Sequence, residues 1–306
     1  MFKRGISEEF ASELLDMWQW KKISEDKDLF FAIRHEYINV YYQGCSIFKI
    51  YYEKNQPRIA THYKYLIHPR MKAPYISWNG ETNSIKARSD EVFIDNFDID
   101  LLKTASSYYA GAEKKGVHSI LKSNKNIIDV EIALSRNAEE EQDSEDQTKV
   151  SKRVADRIDF VALQYAGEKA RIVCFEAKRF DNAELRAAKA TNPHVFDQIK
   201  KYEKVLTEDR ETIEASYFQV CKNLHRLAAD RCDPLVAKVA KKQVELTLAP
   251  EVRLVVFGYD TDQRDGDVWK EHKKKLSDHF GENLISKGNP AGLTAGISKY
   301  NQDGTA

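Results

Sequence analysis

The stretch RIDFVALQYAGEKARIVCFEAKRF, residues 157–180, decides the fold. Its two ends, RIDFVALQ (157–164) and RIVCFEAKRF (171–180), are β-branched and aromatic runs that read as strands. Between them Gly167-Glu168 reads as a two-residue turn with glycine first, as a type II′ hairpin prefers. That turn sets the register: Asp159 faces Glu176 and Arg157 faces Lys178. Opposed residues share a sheet face with Cβ atoms ~5 Å apart. Glu176 and Lys178, two apart on one strand, share that face as well. One patch therefore gathers Arg157, Asp159, Glu176 and Lys178. A surface charge lattice, Asp159 with Lys178 and Glu176 with Arg157, would explain the same residues on a solvated face. The face instead continues as Val161, Leu163, Ile172 and Cys174, so the charges stand at one end of an apolar, buried surface. Two opposed carboxylates repel each other and ask for a cation. Magnesium prefers oxygen ligands, takes one or two carboxylates and keeps several waters. Lys178 beside it could polarise a water or stabilise developing phosphorane charge.

Working outward, a helix is expected over 98–122, with Asp98 as N-cap and Leu102, Ala105, Tyr109, Ala112 and Ile120 near period 3.6. The strand IIDVEIAL (127–134) follows it. A second helix opens at Asn192-Pro193, Asn as N-cap and Pro first, and runs through VFDQIKKYEKVL. Residues 211–244 read as one or two helices, 252–260 as a buried strand and 268–279 as a charged helix before a Gly-rich tail. Upstream, 7–22 reads as a short amphipathic helix. The runs FFAIR, INVYY, SIFKIYY and IATHYKYL read as strands turned at Gln43-Gly44 and Asn55-Gln56-Pro57. Eight of the 15 tyrosines fall between Tyr37 and Tyr75. They could form a base-stacking surface, or simply serve as half-buried strand residues. Residues 70–97 read as irregular. The run AEEEQDSED (138–146) lacks the alternating pattern and glycine of a calcium loop and reads as a solvated loop.

The motif Arg157-Ile158-Asp159 followed by Glu176-Ala177-Lys178 resembles the PD-(D/E)XK nuclease superfamily. The order of elements is similar too: helix, three strands, helix, strand. Gln198 and Tyr202 on the helix after E-x-K resemble the Q-x-x-x-Y pair of the RecB-like branch, and at i, i+4 they share a helix face. The resemblance covers about the last two-thirds of the chain. It implies an α/β (α+β) fold with a restriction-endonuclease-like core, a mixed sheet flanked by helices, over 98–306 with a helical insertion at 207–250. A small β-rich domain of unknown role, 1–97, precedes it. The resemblance further implies Asp159 and Glu176 as metal-binding acids, joined by the Ala177 carbonyl, and Lys178 as the catalytic lysine. Gln198 and Tyr202 would line the site or orient substrate. Glu113 on the first core helix is the candidate third acid and Glu131 its competitor. Arg157 could grip the scissile phosphate or lower the pKa of Lys178 by like-charge repulsion. The sequence departs from the family at Ile158, where a proline is common, and lacks the four-cysteine cluster of some relatives of that branch.

The implied activity is Mg²⁺- or Mn²⁺-dependent hydrolysis of phosphodiester bonds, in DNA rather than RNA, in restriction, phage defence or repair. The alternative is an assembly or nucleic-acid-binding module that keeps the fold with little catalysis. A phosphodiesterase acting on small nucleotides or tRNA is a third reading. Composition narrows the field. The 306 residues carry 48 Lys+Arg and 48 Asp+Glu, so bulk positive charge does not hold a polyanion here. Cys45, Cys174, Cys221 and Cys232 form no CxxC, and no apolar run suits a signal peptide or a membrane span. The expectation is a reduced, cytoplasmic protein. It would bind nucleic acid and no membrane, and a protein partner or a second copy could use the N-terminal region.

Overall fold

The computed structural model describes residues 2–66, 91–93, 97–134, 157–188, 190–294, 296 and 297. The acidic run at 138–146 and most of the irregular stretch at 70–97 lie outside them. The chain folds as mixed α/β with two five-stranded sheets.

Two short helices, α1 (Glu8–Leu15) and α2 (Trp18–Glu25), open the chain where one was expected. An antiparallel meander follows: β1 (Phe30–Ile33), β2 (Tyr37–Tyr42), β3 (Cys45–Glu53), β4 (Gln56–His62) and β5 (Glu91–Phe93). Gln43-Gly44 turns the second hairpin with both φ values positive, as a type I′ turn requires. The third hairpin turns at Lys54-Asn55, also both positive, one residue earlier than expected, so Gln56 and Pro57 belong to β4. Residues Tyr63–Tyr65 close the run as a 3₁₀ turn instead of extending the strand.

The helix expected over 98–122 is two helices, α3 (Ile99–Ser107) and α4 (Ala112–Ser123). The Asp98 side chain caps α3 by accepting from Leu101 N. The break at Tyr108–Gly111 leaves Tyr109 exposed, off the inward stripe where periodicity put it, and Gly111 becomes the N-cap of α4. The second sheet contains β6 (Ile127–Ala133), β7 (Arg157–Ala166), β8 (Lys169–Arg179), β9 (Leu246–Phe257) and β10 (Leu284–Lys287) in spatial order 10-9-8-7-6. β6, β7 and β8 are antiparallel neighbours, whereas β9 and β10 run parallel to β8. The edge strand β10 lies in the stretch read as tail.

Between β8 and β9 come α5 (His194–Glu208), α6 (Arg210–Ala228) and α7 (Pro234–Ala240). The α5 N-cap is Pro193, one residue beyond the expected Asn192. Later helices are α8 (Thr261–Asp265) and α9 (Asp267–Phe280). Alternation along β8 sorts its side chains onto two cores. Ile172 and Cys174 join Val161 and Leu163 in the cluster shared with α5, α6 and α7, which extends to the buried face of the N-terminal meander. Val173, Phe175 and Ala177 face the other way, toward Ile120 and Leu121 of α4. Gly116 lets α4 come down on β9: a Cβ there would lie 2.0 Å from Phe257 Cε2.

A buried ion cluster joins the two sheets. Asp129 of β6 accepts from Arg34 Nη1, Arg4 Nε (3.3 Å) and the Tyr217 hydroxyl (3.2 Å), while Arg34 Nη2 donates to Val130 O at 2.5 Å. Among the described residues no helix is long and apolar enough to cross a membrane.

Candidate active site

The β7–β8 hairpin turns at Gly167-Glu168 with φ +61° at Gly167, and the register pairs Phe160 with Phe175, Val161 with Cys174 and so on to Ala166 with Lys169. That is the register expected from the turn. The ladder stops at Phe160, and there the Asp159 side chain takes over: its Oδ2 accepts from Ala177 N at 2.6 Å. Asp159 is thereby fixed beside the Glu176–Lys178 segment.

On the other flank, β6 pairs Val130 with Phe160 and Ile132 with Ile158, and skips Glu131. Glu131 has φ +52°, the left-handed region that costs an L-residue about 1–2 kcal/mol. Backbone strain thus borders Asp159 on the β6 side. Such outliers persist only where surrounding structure over-determines them.

Lys178 is buried at the end of β8. Its Nζ lies 2.8 Å from Glu176 Oε1 and 2.6 Å from Glu184 Oε2. The β7–β8 ladder ends at Phe160 and Phe175, so neither Arg157–Lys178 nor Asp159–Glu176 is a ladder pair. Arg157 pairs with Ala133 in the β6 ladder and its guanidinium is 3.9 Å from Glu131 Oε2. Once the ladder gives way to the Asp159 side chain, the simple register no longer governs that position.

The electrostatics follow from burial among acids. Burial, then the Glu176 and Glu131 carboxylates, push the Asp159 carboxyl well above its ordinary range, against the Ala177 N–H and Lys178. Burial lifts Glu176 to about 7, with Glu184 and Glu113 adding repulsion and Lys178 opposing it. Burial acts to lower Lys178, but Glu176, Glu184 and Asp159 outweigh it and hold the ammonium charged, above its ordinary value. The expected depression of Lys178 by Arg157 does not occur, because carboxylates and not the guanidinium surround the amine.

Glu113 reaches the same site from the first turn of α4. Its Oε2 accepts from Arg179 N (2.9 Å) and Asn182 Nδ2 (2.8 Å). On α5, Gln198 and Tyr202 are buried: Gln198 Nε2 donates to the Tyr202 hydroxyl, which donates to Arg157 O, both at 2.9 Å. The pair therefore pins the start of β7 two residues from Asp159. Glu184, on the 3₁₀ turn Ala183–Leu185 capped by Asn182, is a site residue that motif reading missed. Its only signal was an acid six positions beyond Lys178 in a turn-forming DNAEL segment.

Among the described residues no three His, Cys, Asp or Glu side chains converge as a ready metal cluster. The donor chemistry nonetheless suits a hard divalent cation, which takes one or two carboxylates and keeps its waters. Asp159 and Glu176 repel each other, and Glu176 Oε2 is buried without a hydrogen-bond donor. Compared with protein-family models, curated proteins and solved structures, the chain finds no match in any of the three.

Proposed function

We propose that the protein is a metal-dependent nuclease that hydrolyses phosphodiester bonds, acting on DNA in preference to RNA. The observation that carries this reading is the buried Asp159/Glu176 pair with the Lys178 ammonium 2.8 Å from Glu176. The element order α4, β6, β7, β8, α5, β9 supports a restriction-endonuclease-like core, since it is the order the superfamily resemblance implies.

Asp159 and Glu176, with Glu113 nearby, would hold Mg²⁺ or Mn²⁺. The bound ion supplies charge neutralisation at the phosphate and a water acidified for attack. Lys178, kept protonated by its carboxylate neighbours, offers its charge to phosphate oxygens as negative charge builds. Glu184 keeps that amine in place from the turn beyond β8. Gln198 and Tyr202 hold the β7 strand that presents Asp159. Arg157, partly exposed at the strand start, would meet substrate backbone.

The test is cleavage of linear, circular and single-stranded DNA and of RNA with Mg²⁺ or Mn²⁺, using Asp159→Asn and Lys178→Met as controls. Cleavage that either variant abolishes is expected. Cleavage surviving both overturns the site. Substrate bound but never cut with any divalent ion would favour the assembly-module reading.

A further inference from the structure

A cavity of about 320 Å³ lies between β1, the C-terminal half of α4, β6 and the 3₁₀ turn Ala229–Arg231. Ligand pockets begin at about 300 Å³. It is separate from the acidic site: Lys122 on its wall is nine residues along α4 from Glu113, about 14 Å at 1.5 Å per residue.

Charge on the wall is unbalanced. Lys27, Lys122, Lys125 and Arg231 face only Asp28 and Asp230. Asp28 is already claimed by Lys122 and Lys103, and Arg231 spends its donors on the carbonyls of Ile23, Ser24 and Leu29. Lys27 and Lys125, both exposed, make no ion pair among the described residues. Two uncompensated cations match a phosphate monoester, which carries about −1.5 to −2 near neutral pH.

Behind this rim the lining changes character. Phe30 supplies an aromatic wall, and Leu29, Leu121 and Ile128 apolar surface, whereas the neighbouring Phe31 ring is covered by the Arg231 guanidinium 4.9 Å away. Two polar groups interrupt it. Asn124 is buried, and its Nδ2 donates to Ile120 O (2.8 Å) and Leu293 O (2.9 Å), which fixes the amide orientation. Its Oδ1 is then an acceptor without a donor. His118 Nδ1 accepts from Gln43 N at 3.3 Å, so the ring proton belongs on Nε2. Burial, helped by Lys122, lowers His118 to about 4, so this donor is neutral. The Asn124 oxygen is enclosed within the wall, so the lining offers a flat base the face of Phe30, and the rim suits a phosphate.

We propose that this cavity binds a nucleoside monophosphate, base against Phe30 and phosphate at Lys27 and Lys125. The test is calorimetric titration of the full chain with AMP, GMP, CMP and UMP at millimolar concentration, beside inorganic phosphate and the four nucleosides. At least one nucleotide should bind more tightly than both phosphate and its own nucleoside. Lys27→Glu with Lys125→Glu, surface changes that leave the core intact, should weaken it about tenfold or more, roughly 1.4 kcal/mol. Phe30→Ala should weaken nucleotide and nucleoside alike. Lys178→Met should leave the affinity unchanged. The proposal fails if no nucleotide binds, if phosphate alone binds equally well, or if Lys178→Met and not the lysine pair abolishes binding.

Discussion

Lys178 and Glu176, two residues apart on one strand, meet at 2.8 Å with both side chains buried, yet the glutamate is still lifted to about 7. One ammonium does not offset burial plus the Glu184 and Glu113 carboxylates. This relationship gives a pH signature. A carboxyl raised in the folded state binds its proton more readily there than in the unfolded chain. Its stabilisation is present below pH 4.5 and is lost as pH rises from 4.5 to about 7. The loss amounts to up to about 3 kcal/mol for Glu176, and Asp159, raised as well, acts in the same direction. Urea unfolding of wild type should show stability falling across that window, and Glu176→Gln should flatten the fall. An unchanged slope in the variant would contradict the assigned environment.

A divalent cation should act in the opposite sense. It binds the deprotonated pair, so Mg²⁺ or Mn²⁺ should raise the melting temperature at pH 8 and do little at pH 5. Chelation should reverse the gain. Asp159→Asn should remove it, measured by thermal melts with and without metal. A gain that survives Asp159→Asn would put the cation elsewhere.

Asp129 is the common acceptor for Arg4, Arg34 and Tyr217. Asp129→Asn would leave two guanidinium groups buried near a neutral amide. Breaking a buried pair from one side costs about 3–5 kcal/mol, so the urea midpoint should drop by a large fraction of total stability. A loss under about 1 kcal/mol would mean that water reaches the cluster.

That cluster also marks the limit of what the sequence discloses. The hairpin of β7 and β8 was legible because a two-residue turn dictates register outright, and the apolar faces confirmed it through period-2 alternation. Asp159, Glu176 and Lys178 could be brought together from that alone. Arg4 and Arg34 lie 125 and 95 positions from Asp129, and no local pattern announces such a contact. The break between α3 and α4 was missed because apolar spacing stays near 3.6 through Tyr109, while the chain turns there and caps α4 with Gly111. Glu184 was missed because its role depends on a 3₁₀ turn, set by an Asn182 cap, folding back over Lys178. Arg157 went to Glu131 because the ladder yields to a side chain at Asp159, which a register rule does not foresee.

Gly116 lies inside α4, where glycine costs about 1 kcal/mol relative to alanine. The approach to Phe257 explains it. Gly116→Ala should gain helix propensity yet lose more, because the new methyl would sit 2.0 Å from a buried ring. Overpacking of this kind costs about 1–3 kcal/mol. The net loss should appear in chemical unfolding, and Phe257→Leu should recover part of it by making room. No recovery in the double variant would mean that α4 shifts instead of the ring.

Glu131 offers a test of strain apart from charge. At φ +52° glycine is at ease and a β-branched residue is not. Glu131→Gly relieves about 1–2 kcal/mol of backbone strain but adds about 0.5–1 kcal/mol of unfolded-chain entropy, so stability should change by less than about 1 kcal/mol. Glu131→Val keeps the strain and worsens it, and should lose at least about 1–2 kcal/mol. Both changes remove the carboxylate that helps raise Asp159, so both should lower the Asp159 titration, read by NMR of the side-chain carboxyl. Equal stability losses in the two variants would show that the backbone at this position is not strained. A lowered Asp159 titration in only one of them would show that the backbone, not the charge, sets the carboxyl's environment.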